Sequence, residues 1–305
     1  MLMMSLVILA AAALGWGIAA WTSRPGGGSD APGDKRAPSV TEPRVFGHAR
    51  LVARVGIAEL TESSGIVASS VDPGILWAHN DSGDAPVLYC LTFRGEACGR
   101  VTLSGIEPVD WEDIARGPGP DPDTSYLYVA DIGDNTRIRP EISVVRVPEP
   151  TRGDSVISDA EVIRLSYPRG PRDAESAFVH PKTGDVYVIT KGASPVAYVA
   201  RAPLEPGTTI ELEKVVPVPA PGLLPGPTGA DISSDGRFLV LSTYAGAYEF
   251  EITGSLQDAF DAGGVEINLP PVMQREAVAY DLTGTRIFTT SEGAPMPLYL
   301  SRLRR

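Results

Sequence analysis

The sequence predicts an all-β chain folded as a β-propeller. Three observations predict it. An acidic–small–apolar motif returns five times, a glycine stands at the same place behind the strand that follows each copy, and each interval has room for four short strands.

The copies are Glu62-Ser63-Ser64-Gly65-Ile66-Val67, Glu112-Asp113-Ile114-Ala115, Glu175-Ser176-Ala177-Phe178-Val179, Ala230-Asp231-Ile232-Ser233 and Glu276-Ala277-Val278-Ala279-Tyr280, spaced by 50, 63, 55 and 46 residues. Each opens a first strand. Hairpin signals then follow at Asp72-Pro73-Gly74, Lys182-Thr183-Gly184, Asp235-Gly236 and Thr283-Gly284. The second strands end in WAHNDSGD, YVADIGDN, YVITKGA, VLSTYAG and FTTSEGA, where Gly83, Gly133, Gly192, Gly246 and Gly293 mark positive φ or close backbone approach.

Third strands are predicted at Val87–Thr92, Ile142–Val147, Val196–Arg201, Ala247–Ile252 and Leu298–Leu303, and fourth strands at Gly99–Leu103, Ala160–Tyr167, Ile210–Val218 and Val265–Leu269. The last repeat lacks a fourth strand, and Arg50–Ala58 is a spare strand that completes that blade and closes the ring. Five blades result; six remain open if the 63-residue interval hides a partial blade, although its extra length reads as loops at Gly117–Thr124 and Asn135–Glu141. One helical turn is expected around Leu256–Asp261.

Residues 1–22 begin with the uncharged run Met1–Trp21, long enough as a helix to cross a bilayer core. It is either an uncleaved anchor or a signal peptide; no basic residue precedes it. Residues 23–43 are a Gly/Pro/Ser/Asp-rich linker, too polar to order itself, and 44–305 form the propeller. The expected location is the cell membrane with the domain outside the cytoplasm, or secretion.

Hydrophobic residues make up 43 % of the chain, enough for a core, and the net charge of −12 excludes nucleic acid as a partner. Cys90 and Cys98 flank a hairpin-like stretch. In an oxidising compartment they form a disulfide; otherwise they are two core thiols.

In a propeller the first strands line the axis. Glu62, Glu112, Glu175 and Glu276 are therefore expected to converge at one mouth of the channel, with Ala230 breaking the ring. Gathered carboxylates bind a cation, share protons or recruit basic partners such as Lys191 and Arg275. Oxygen ligands point to Ca²⁺ or Mg²⁺, with Asp81, Asp131 and Asp134 as secondary ligands. Structural hydrogen bonds to the neighbouring blade, or a catalytic carboxylate pair, are the other readings. Glu112, Asp131 and His79 are the catalytic candidates, and the polar segments His79–Asp84, Asp110–Asp113 and Asp131–Asn135 mark a binding mouth between the first two blades. No nucleophile elbow, phosphate loop or zinc-binding helix motif occurs.

The strings ESSGI, WAHNDSGD, DWEDIA, DIGDN, RDAES and REAVAYD, across roughly residues 58–303, resemble a group of secreted or membrane-anchored bacterial propellers. That group is distantly similar to phytase-like, gluconolactonase-like and strictosidine-synthase-like propellers. The resemblance implies calcium at the channel, held by Glu62, Glu112, Glu175 and Glu276. Two functions follow as expectations. The first is a tethered extracytoplasmic binding module that takes a ligand or protein partner at the mouth, with Ca²⁺ in the channel. The alternative is a calcium-dependent phosphoesterase, esterase or lactonase with Glu112 or Asp131 positioning water. No basic cluster of the kind a phytase needs stands out in the sequence.

Overall fold

The computed structural model describes residues 44–219, 226–270, 272 and 274–304. The anchor or signal segment and the linker lie outside them. Among the described residues no helix is long and apolar enough to cross a membrane.

The chain folds as a five-bladed β-propeller. After β1 (Arg50–Val55), blade 1 is laid down as β2 (Ser63–Ala68), β3 (Ile75–Asn80), β4 (Val87–Thr92) and β5 (Ala97–Leu103). Blade 2 begins with β6 (Trp111–Pro118), β7 (Ser125–Asp131) and β8 (Ile142–Pro148). The chain then returns to blade 1 with β9 (Ser155–Ile157), parallel to β5, before β10 (Glu161–Ser166) completes blade 2. Blade 3 holds β11 (Ala174–Val179), β12 (Val186–Thr190), β13 (Val196–Ala200) and β15 (Glu213–Pro217), while β14 (Thr209–Glu211) crosses back to lie parallel to β10. Blade 4 is β16 (Gly229–Ile232), β17 (Phe238–Ser242), β18 (Ala247–Glu251) and, after the short helix α1 (Leu256–Ala262), β19 (Val265–Ile267). Blade 5 is β20 (Arg275–Tyr280), β21 (Arg286–Ser291) and β22 (Met296–Arg302), completed by β1 antiparallel to β22. The 63-residue interval therefore hides no blade. Its length goes into loops and into β9, and β9 and β14 make blades 1 and 2 five-stranded rather than four-stranded.

Inner strands β2, β6, β11, β16 and β20 each pack beside the next, and β20 returns to β2. Apolar residues alternate to the two faces of each blade, so the core lies between blades. Val67, Trp77, Leu88, Ile114, Leu127 and Val145, for example, form one buried layer between blades 1 and 2. Burial of each such side chain contributes roughly 1.5–3 kcal/mol. Cys90 on β4 and Cys98 on β5 are joined by a disulfide. At the closure Phe46 bridges to Leu303, and the Arg44 guanidinium lies 4.0 Å from the Phe238 ring centroid and 3.5 Å from Glu249.

The channel is tied across its axis by buried carboxylates one position past the motif glutamates. Asp113 accepts from the backbone N–H of Ile114 (2.9 Å), Ala177 (3.0 Å) and Ala230 (3.0 Å), which belong to three blades. Asp231 accepts from Ile232 (2.8 Å) and Tyr280 (2.7 Å).

Candidate metal centre at the channel mouth

Inner strands start and second strands end at the same mouth, so residues from both surround it. Strand pairing fixes which are equivalent. Trp111 pairs with Asp131 and Asp113 with Ala130, which leaves Glu112 as the extra residue of a β-bulge. Glu175 sits in the same bulge of blade 3, and Glu276 in that of blade 5. In blade 1 the bulged residue is Ser64, not Glu62. Glu62 stands two positions earlier. Its carbonyl accepts the N–H of Asp81, as Asp110 accepts that of Ile132, Asp173 that of Lys191 and Gln274 that of Glu292. The mouth thus has two tiers: Ser64, Glu112, Glu175 and Glu276 in the bulges, and Glu62, Asp110, Asp173 and Gln274 at the entrance. Blade 4 pairs Gly229 with Ser242 and Ala230 with Leu241 without a bulge, and gives neither tier a carboxylate. A bulge re-aims its side chain, which is why a simple alignment of the motifs on their acidic residues misplaced Glu62.

One half of the mouth gathers Asp81, Asp110 and Glu112, with a carboxylate oxygen of each within 4.8 Å of the others. The carboxylates of Asp110 and Glu112 make no hydrogen bond among the described residues, and Glu112 is only 6 % exposed. Gly133 makes room for them, since a Cβ there would stand 2.3 Å from both Asp110 Oδ2 and Glu112 Oε1. Burial, then repulsion from Asp81 and Asp110, pushes the Glu112 carboxyl up to about 10. Burial and the Asp81 charge push Asp110 up to about 6, and burial also raises Asp81. Three carboxylates converging where no side chain could block them, two of them without a hydrogen bond, fit a hard cation with oxygen ligands such as Ca²⁺.

The opposite half is different. Lys191 forms an ion pair with Glu175, whose Oε2 is buried without a hydrogen-bond partner. Burial raises the carboxyls of Asp81, Glu112, Glu276 and Glu292, and the Lys191 charge offsets part of that rise in each, so it reaches both halves. Glu276 is pushed up to about 8 by burial and then by the Glu292 charge, with the Tyr244 side chain beside it. Arg275 is fully buried and donates to Pro270 O (2.5 Å), Thr243 O and Tyr244 O (both 3.4 Å), fixing the backbone that carries Tyr244.

The remaining sequence candidates lie elsewhere. Asp131 accepts from Val109 N (2.9 Å), Asp110 N (3.2 Å) and Arg139 (2.7 Å), so it orients the Asp110 loop. Asp134 accepts from Ile138 N (3.0 Å) and Arg139 N (2.9 Å). His79 is fully buried, donates through Nδ1 to Asn80 O at 2.7 Å and meets the Trp111 ring edge-on; burial pushes its pKa down to about 4 and keeps it neutral. Of the four ring glutamates, only Glu112 is in the three-carboxylate cluster; Glu175 and Glu276 are across the mouth. Asp110, expected only as part of the mouth segment, and Asp173 were not among the predicted ligands, Tyr244 and Glu292 were not predicted at all, and Lys191 was expected as a basic partner of the ring. For the first two the signal was present, in the repeated Asp-x-Glu of Asp110-Trp111-Glu112 and Asp173-Ala174-Glu175.

No protein-family description matches the chain, and no curated protein does. Among solved structures it is similar to a gluconolactonase from Xanthomonas campestris described as important in glucose secondary metabolic pathways. The TM-score is 0.51 at 13 % identity, over 87 % of this chain and 96 % of that one. At that identity the likeness concerns the fold: both chains are β-propellers.

Proposed function

We propose that the protein is a divalent-cation-dependent hydrolase acting on a small carboxylic ester or lactone at the channel mouth. The observation that carries this reading is the cluster of Asp81, Asp110 and Glu112, the last of them buried and the other two half-buried, close together and not neutralised by a bonded cationic side chain. A purely structural carboxylate in this fold looks different: Asp113 is fully occupied by backbone N–H groups.

Asp81, Asp110 and Glu112 would hold the cation, which when bound supplies Lewis-acid polarisation of a carbonyl oxygen. Asp131 and Arg139 keep the Asp110 loop in place. Glu276, with its carboxyl near 8, carries a proton at neutral pH and can donate it to a leaving oxygen. Lys191 supplies positive charge between the halves. A phosphoester would face the mouth's many carboxylates with little basic compensation, so a neutral ester suits it better. The gluconolactonase similarity lends this reading weak support, through the fold alone.

A second reading, a tethered binding module with a ligand or protein partner at the mouth, draws on Val109 (57 % exposed) and Ile138 (74 %), apolar residues on loops beside the cluster. The disulfide supports the oxidising, extracytoplasmic location common to both readings.

The test is turnover of p-nitrophenyl acetate and δ-valerolactone by the full chain in a mild detergent, with Ca²⁺ or with chelator. Expected is calcium-dependent turnover, reduced roughly 100-fold or more in Glu112→Gln. A wild type that turns over neither substrate and melts at the same temperature with and without calcium would overturn the proposal.

A further inference from the structure

The outer edge of blade 5 carries charge opposite to that of the chain. Here β1 pairs with β22, and Leu300, Arg302 and Arg304 follow each other at alternate positions on β22 and its extension. Arg50 is the partner of Leu300, and His48 precedes Arg50 by two. Arg50 and Arg302 share a face by alternation along the paired strands, and His48 and Arg304, just beyond the ladder, join them. They line a groove of about 600 Å³ with Val52 and Leu300.

All four are exposed, and none is in an ion pair among the described residues. The comparison within the blade is informative. Arg286, paired with Arg302 across β21, has Asp281 at 3.9 Å, and Arg44 has Glu249. Like charges on neighbouring strands repel, and a chain with twelve more negative than positive charges has acids to spare for pairing. The groove concentrates guanidinium groups without using them in the fold.

We propose that this groove binds a phosphate-bearing anion through Arg50, Arg302, Arg304 and His48. Guanidinium forks match phosphate oxygens bidentately, and the imidazole adds a further donor. The site is on the outer strand of a blade, apart from the acidic mouth, and does not depend on the hydrolase reading.

The phosphate has two sources, a free polyphosphate or an anionic lipid headgroup. The full chain in neutral detergent micelles is titrated calorimetrically with sodium tripolyphosphate. Separately, it is titrated with micelles doped with phosphatidylglycerol or phosphatidylcholine. The variants are Arg50→Gln/Arg302→Gln/Arg304→Gln and the matching Lys triple, with thermal melting to establish that each folds. Saturable binding of tripolyphosphate alone identifies a free ligand, and of phosphatidylglycerol alone a headgroup; both support the site. The Gln triple should bind at least about ten-fold more weakly, roughly 1.4 kcal/mol. The Lys triple should fall between, and added salt should weaken binding. No binding of either probe by wild type, or a folded Gln triple within two-fold of wild type, overturns the proposal.

Discussion

Oδ2 of Asp113 accepts the backbone N–H of Ala230 at 3.0 Å, although one residue belongs to blade 2 and the other to blade 4. The same oxygen takes Ala177 N from blade 3, so one carboxylate closes three blades around the axis. Truncation to Ala leaves buried donors without partners, each worth about 1–3 kcal/mol. Asp113→Ala should lower stability by about 3 kcal/mol, a fall of about 8 °C in Tm for a domain of this size. Asp113→Asn retains one acceptor oxygen and should lose less. Thermal melts in chelator measure both, and an unchanged Asp113→Ala would mean the blades hold without this tie.

Cation binding should be linked to protons. Burial and the charges of Asp81 and Asp110 raise Glu112 from its ordinary 4.5 to about 10, so at pH 7 it holds a proton that a ligating carboxylate must lose. Calcium binding at pH 7 should therefore release about one proton, seen by calorimetry in buffers of different ionisation enthalpy. A raised carboxyl stabilises the folded state fully below its unfolded pKa and loses that contribution as pH rises toward the folded value. Without calcium, stability should fall as pH climbs from about 5 toward 10; saturating calcium should flatten the decline. Binding without proton release would place the ion elsewhere.

Gly133→Ala isolates the site from the fold. The new Cβ would meet the ends of the Asp110 and Glu112 side chains at 2.3 Å, displacing the two carboxylates rather than any backbone. The variant should melt within a few degrees of wild type in chelator, yet lose most of the calcium-induced rise in Tm. An equal calcium shift in both proteins would show that Asp110 and Glu112 do not share the ion.

The sequence carried the architecture because a propeller repeats, and repetition of strand, turn and glycine is visible without knowing any contact. Even the closure by β1 was legible, since the last repeat lacked a strand and the first had one spare. The site was legible only as a neighbourhood. Glu112, Glu175 and Glu276 share the predicted mouth, but one extra residue per bulge decides that Ser64, not Glu62, is their counterpart. Sequence letters do not mark a bulge. Nor could they reveal that Asp131 is taken by the backbone N–H groups of Val109 and Asp110 and by Arg139, that Asp134 is taken by N–H groups of its own loop, or that Tyr244 reaches in from a neighbouring second-strand end. The glycines divided likewise: Gly83, Gly192 and Gly293 have positive φ, whereas Gly133 is required by the carboxylates packed against it.

Glu149 holds the blade 1–blade 2 seam on the side away from the mouth, and acid should loosen it. The side chain follows β8 and takes Ser69 Oγ (2.6 Å), Ser70 N (2.7 Å) and Val71 N (3.2 Å) on Oε1, with Ser70 Oγ (2.6 Å) on Oε2. Those donors lie in the turn between β2 and β3 of the neighbouring blade. Burial alone would raise the carboxyl, but the hydrogen bonds from Ser69, Ser70 and Val71, with the Ser125 hydroxyl close by, outweigh it and hold Glu149 below its ordinary value. A depressed carboxyl contributes stability above its unfolded pKa of about 4.5 and loses it as pH falls through the folded value. Glu149→Gln keeps the shape but loses the charge and one acceptor, which should cost about 1–3 kcal/mol at pH 7. As pH falls below the ordinary carboxylate range and the wild-type carboxylate begins to take up its own proton, the gap between the two proteins should narrow. Denaturant melts at pH 7 and pH 3.5 measure both differences. A gap that stays constant between those pH values would show that the charge on Glu149 contributes nothing and that only the shape of its side chain matters.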